Sequence, residues 1–112
     1  MKIIEIINNL NNLGKFVEKN YELPFILRRA IKKNHKALME EYNIYDEQRK
    51  ELLADIDNKT AEEKAEIDKK FREFLNTEID LEIIKVDINV LADIKMPYKD
   101  ELLITFMMNE EE

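Results

Sequence analysis

From Ile31 to Ile56 the chain repeats at alternating spacings of four and three, through Ile31, His35, Leu38, Tyr42, Tyr45, Arg49, Leu52 and Ile56. That spacing places one stripe along a helix. A second run, Ile67, Phe71 and Phe74, follows Thr60. Two stripes separated by a short polar break predict an antiparallel pair of long helices, a helical hairpin. Pro24 suits the first turn of the longer helix, where a missing N–H costs nothing, and that helix is expected to run to about Asp55. Asp57-Asn58-Lys59 is the break. Thr60 with Glu63 three residues on matches a capping box, so the second helix is expected to begin near Ala61.

The two ends carry different patterns. Residues 2–7, Lys-Ile-Ile-Glu-Ile-Ile, are β-branched and apolar and predict a short strand. Ile6, Leu10, Leu13 and Val17 then recur at helical spacing until Asn20 and Tyr21. From Ile79 the period changes to two, with Ile79, Leu81 and Ile83 alternating with acids and Ile84, Val86, Ile88 and Val90 continuing after a phase slip. This predicts a half-buried strand, paired with Ile3–Ile7 or with another copy of the chain. Pro97 opens a short C-terminal helix with Asp100 and Glu101 in its first turn and Leu102, Leu103, Phe106 and Met107 on its apolar side. Glu110 to Glu112 reads as a solvated acidic tail. The expected fold is mainly α with a small β element (α+β). It comprises a long helical hairpin, a short two-stranded sheet or inter-chain strand pairing, and a short C-terminal helix, in a single domain over residues 1–112.

Composition changes the picture mainly by exclusion. One Gly and two Pro in 112 residues favour long helices over a turn-rich fold. No cysteine means no disulfide, no thiolate zinc site and no thiol nucleophile. Serine is also absent and His35 is the single histidine, so a Ser-His or Cys-His nucleophile system cannot be assembled. The single Gly14 excludes Gly-rich phosphate loops of the usual kinds. Carboxylates such as Glu40-Glu41 and Glu62-Glu63 are interleaved with Lys and Arg at helical spacing, as in Glu47 with Lys50 and Glu66 with Lys69 and Lys70, which is how an exposed face is written. No catalytic residue, metal ligand or cofactor is assigned, and the chain is read as a non-enzyme. A signal peptide and a membrane span are not expected, and a cytoplasm is the expected location.

The net charge of −7 conceals a dipole: residues 1–36 hold eight Lys/Arg against three Glu, or +5, and residues 37–112 hold ten against twenty-two acids, or −12. Arg28, Arg29, Lys32, Lys33 and Lys36 form an unbroken basic stretch with no acid from Pro24 to Ala37. On a helical wheel starting at Arg28 they fall at about 0, 100, 40, 140 and 80°, away from the seam residues Ile31, Leu38 and Tyr42 near 300, 280 and 320°. Such a patch can meet phosphates or an acidic protein surface, including another copy. Duplex nucleic acid would be repelled by the rest of the molecule. The acidic half could instead imitate nucleic acid, but Lys64, Lys69, Lys70 and Arg72 interrupt any phosphate-like row.

The order Leu23-Pro24, Ala30, Lys33-Asn34, Lys36, Leu38, Glu41, Tyr45, Glu47, Arg49, Leu52, then Glu78, Ile83, Lys85 and Pro97…Leu102-Leu103…Phe106-Met107 resembles a family of small helical proteins encoded by tailed phages and prophages of low-GC Gram-positive bacteria. The chain departs from that pattern in a shorter loop between the helices and a more acidic end. The resemblance transfers no catalytic residues. It implies an accessory phage protein in the host bacterial cytoplasm that inhibits a host factor, antiviral defence above all, by binding a protein or by sequestering a phosphate-bearing small molecule. The alternative is a structural or assembly protein. The expected contacts are Arg28, Arg29, Lys32, Lys33 and Lys36, with Tyr21 and Phe25 as aromatic anchors at the helix start. In the sequestration version the ligand would sit between copies, so a homo-oligomer is expected.

Overall fold

The computed structural model describes residues 1–109, and the Glu110–Glu112 tail read from the sequence lies outside them. The fold is mainly α with a small β element. Helix α1 spans Ile3–Glu18, α2 spans Phe25–Leu52, α3 spans Ala61–Leu75 and α4 spans Tyr98–Glu101. The molecule is elongated, 57 × 25 × 22 Å, because the 28-residue α2 runs through it as a spine.

Local signals set most helix ends. Pro24 caps α2 with an extended backbone. The Thr60 Oγ1 accepts from the Glu63 N–H at 3.1 Å, and the Glu63 carboxylate accepts from the Thr60 N–H at 3.2 Å. The reciprocal pair satisfies two free donors of α3 and holds the Glu63 carboxyl below its ordinary range, chiefly through the Thr60 backbone N–H. Asn20 (φ 61°) takes the left-handed conformation just past α1, as Asp55 (φ 57°) does past α2. Asn and Asp are the side chains that tolerate this best after glycine; Asn20, directly after the C-cap Lys19, stops α1, and Asp55 precedes the 3₁₀ turn Ile56–Asn58.

The N-terminal residues form a helix where the β-branched run predicts a strand. Ile3, Ile6, Leu13 and Phe16 are the buried positions of α1, and their spacing matches a helical face laid against α2. Burial of that face overrides the weak β preference of isoleucine. The core therefore lies chiefly between α1 and α2, where Leu13, Phe16, Leu27, Ala30, Ile31 and Leu38 join Ile104 and Met107 from the C-terminal segment. The expected seam of α2 is buried at Ile31, Leu38 and Tyr45 and departs from expectation at one position: His35 is exposed, and Asn34, at 1% exposure, is in the core instead. In α3 none of the residues is fully buried; it meets α2 where the Phe74 ring stacks on Tyr45 with centroids 5.5 Å apart.

The alternating segment after α3 is extended but forms no long ladder. Its first backbone groups pair with the N-terminal end: Ile3 N–H donates to Thr77 O (3.1 Å) and Ile79 N–H to Met1 O (2.8 Å). At Ile84 both backbone groups are taken by the Asn34 side chain, whose Nδ2 donates to Ile84 O at 2.9 Å while its Oδ1 accepts from Ile84 N–H at 2.8 Å. Only Val86–Asp87 (β1) enters a sheet, pairing in parallel with Met108–Asn109 (β2), Val86 opposite Met108. The partner strand thus comes from the C-terminal end, because Ile3–Ile7 is helical. The 3₁₀ turn at Ile88–Leu91, begun by Asp87 accepting from Asn89 N–H, ends the strand where the alternation continues.

Candidate functional site

The basic side chains sit where helix electrostatics do not favour them. Arg28 and Arg29 close the first turn of α2, which contains no acid, and Lys32, Lys33 and Lys36 follow in the next two turns. The positive end of a helix dipole disfavours cations there, so stabilising α2 does not account for the cluster. All five are exposed, and among the described residues none lies within ion-pair distance of a carboxylate. Phe25, 72% exposed, lies beside them with the Arg28 guanidinium 5.9 Å from its ring centre, a cation–π arrangement. Phe25, Arg28, Arg29, Lys32 and Lys33 surround an open depression of about 340 Å³.

On the other side of Arg28 and Lys32 lies a larger feature, a groove of about 450 Å³ between the C-terminal end of α1 and the start of α2. Phe16, Val17, Tyr21, Leu23 and Ile31 form its apolar floor and walls, and Arg28, Lys32 and His35 form its rim. Gly14 lies at the edge, and a Cβ added there would meet nothing within 4 Å. A side chain there would have room, and glycine in a helix costs about 1 kcal/mol relative to alanine, so packing does not require the glycine. An apolar floor beneath a cationic rim suits a ligand or segment that combines an apolar group with negative charge.

The structure brings Phe25 together with Arg28, Arg29, Lys32 and Lys33, and places Tyr21 in the groove that Arg28 and Lys32 also line. The Tyr21 ring packs on Phe16 with centroids 5.8 Å apart, and its hydroxyl donates to the Asp100 carboxylate at 2.5 Å. Asp100, 5% exposed, also has the Lys19 ammonium at 4.0 Å. Tyr21 is therefore a wall of the groove tied to α4, and Asp100 anchors the C-terminal segment as well as starting its helix. The hydrogen bond to Asp100 is the largest cause raising the Tyr21 phenol above its ordinary value, followed by burial. Because the folded-state value is raised, the bond contributes fully below the ordinary phenol range near about pH 10 and is lost as pH rises through the folded value. The Tyr21 ring resonances are expected to titrate above that range by NMR, and Asp100→Asn to bring the midpoint down.

Sequence reasoning missed the α1 side of the groove, Gly14, Phe16 and Val17, and the rim position of His35. One signal was present: an isolated glycine inside a helical pattern asks for a packing or functional reason. Among the described residues no group of three or more His, Cys, Asp or Glu side chains is placed to hold a metal, and no helix is long and apolar enough to cross a membrane. No protein-family model matches the chain, and no curated protein or solved structure matches it either.

Proposed function

We propose that this chain is a non-enzymatic, phage-type interaction protein that inhibits a host factor in the bacterial cytoplasm, with antiviral defence as its target. It acts by covering an acidic surface of a host protein or by holding a phosphate-bearing small molecule. The observation that carries this reading is the apolar groove rimmed by Arg28 and Lys32, beside cations that have no carboxylate partner among the described residues. Arginine supplies bidentate contacts to carboxylate or phosphate, lysine supplies point charge, and the floor supplies burial for an apolar anchor. In this reading α3 folds back along α2 as the second arm of an antiparallel hairpin, fastened at Tyr45 and Phe74, and stiffens the spine that presents the site.

The test is phage plating on a defence-bearing host that expresses the chain. Wild type is expected to raise plating efficiency, and Arg28→Glu with Lys32→Glu to abolish the effect while leaving far-UV circular dichroism unchanged. Gly14→Gln separates fold from site more sharply. It should stabilise α1, since glutamine is the better helix former, and yet obstruct the groove. Inhibition that survives both changes would sink the proposal. Native mass spectrometry of the chain purified with and without infection then separates its two forms, a retained host protein from a retained phosphate-bearing mass.

The second reading, a structural or assembly accessory protein, draws on the exposed apolar side chains away from the groove, including Tyr98 at 72% and Leu102 at 50%. It predicts co-purification with virion components and loss of particle yield on deletion.

A further inference from the structure

The outward face of α2 carries a second stripe at spacings of three or four: Ile26, Arg29, Lys33, Lys36, Glu40, Ile44, Glu47 and Glu51. At about 100° per residue these fall within roughly 80 to 160° of Arg28, opposite the buried side of the helix at roughly 200 to 300°. Every one of the eight is exposed, Ile26 at 58% and Ile44 at 52%. A 4-3 repeat on an unpartnered face is the geometry of a helix–helix seam, with charges here in place of most apolar positions. The signs are ordered. Three cations occupy the N-terminal half and three anions the C-terminal half.

Read backwards, that order is complementary in charge at two of its four pairings. A two-fold axis crossing α2 at the level of Leu38 sets Arg29 opposite Glu47 of the partner subunit and Lys36 opposite Glu40 of the partner subunit. Both pairs are symmetric about the same residue, and each occurs twice. Lys33 then meets Asn43 and Ile44 of the partner subunit, where its aliphatic stem can cover the exposed isoleucine. A parallel arrangement would place cations on cations and anions on anions. We infer that the outward face of α2 is an isologous interface, through which two copies of this chain pair antiparallel along about 42 Å of helix. Arg28 and Lys32, which line the groove, take no part, whereas Arg29 and Lys33, which border the neighbouring depression, do.

The pairing rests on exposed charge and is salt-sensitive. Sedimentation velocity of the full chain is expected to show a dimer that dissociates as salt rises from about 0.1 M to about 1 M, where the screening length falls from roughly 10 to roughly 3 Å. The triple variant R29E/K33E/K36E makes the stripe wholly acidic, and E40K/E47K/E51K makes it wholly basic. Each alone is expected to be monomeric with unchanged helicity. Mixed in equal amounts they are expected to form a heterodimer. A wild-type chain that stays monomeric at low salt overturns the inference without recourse to any variant. A homodimer that persists in either triple variant, or a mixture of the two folded variants that stays monomeric, also overturns it.

Discussion

Replacing Asn34 with leucine is expected to remove about 2–5 kcal/mol of stability, although the two side chains are close in volume and leucine is the better helix former. Asn34 is 1% exposed, and its amide satisfies both backbone groups of Ile84, as a neighbouring strand would. Leucine would leave that N–H and that carbonyl without protein partners at a part-buried position; Ile84 itself is 39% exposed, so water recovers part of the loss and each group costs toward the low end of roughly 1–3 kcal/mol. Against a typical total of about 5–15 kcal/mol the loss is large, and urea unfolding measures it directly. Hydrogen exchange should locate it, with faster exchange of the Ile84 amide and of the segment from Ile79 to Val86.

Asn34→Asp supplies an independent check on the same geometry. A carboxylate can accept from Ile84 N–H but cannot donate to Ile84 O, and it buries a charge. Its folded-state pKa is raised, so the ionised form destabilises at neutral pH and the protonated form, which regains a donor, does not. The deficit relative to wild type is expected to be largest at neutral pH and to shrink as pH falls below the buried value. A deficit independent of pH would show that the amide does not hold Ile84 in the way the distances indicate.

The same residue shows what could be read from the chain and what could not. Helix ends set by local chemistry were legible: Pro24 before α2, the Thr60–Glu63 box before α3 and Pro97 before α4 all act within one turn. The cations of α2 were legible too, since helical period alone places them on one side. The seam was legible at Ile31, Leu38 and Tyr45 and failed at His35, because the partner there is α1, whose first turn the β-branched residues disguised as a strand. Burial against α1 extends the buried stripe back to Leu27 and Ala30 and turns Asn34 inward, leaving His35 at the rim of the groove. The alternation of residues 79–90 marked strand only at Val86–Asp87 and failed at the 3₁₀ turn Ile88–Leu91, and periodicity does not name a hydrogen-bond partner. One came from a side chain fifty positions away and another from β2. The groove shared this fate, as its floor joins α1 to α2 across the turn at Asn20.

Phe16→Ala is expected to be the most damaging truncation near the site, at about 3–5 kcal/mol, and its consequences for fold and binding should be separable. Phe16 is 1% exposed, belongs to the core cluster, packs on Tyr21 and underlies the groove. Removing the ring opens a cavity beneath Tyr21 and loosens the wall that Asp100 tethers. Phe16→Leu retains much of the volume and should cost markedly less. If the groove acts through its shape, inhibition should follow the groove and not the global stability. Phe16→Leu, still largely folded, should lose inhibition in part, and Gly14→Gln, more stable than wild type, should lose it as well. Thermal unfolding run beside phage plating for the three variants gives the two orders. Inhibition that simply tracks melting temperature would mean that Phe16 serves the fold alone and that the groove is not where the host factor is held.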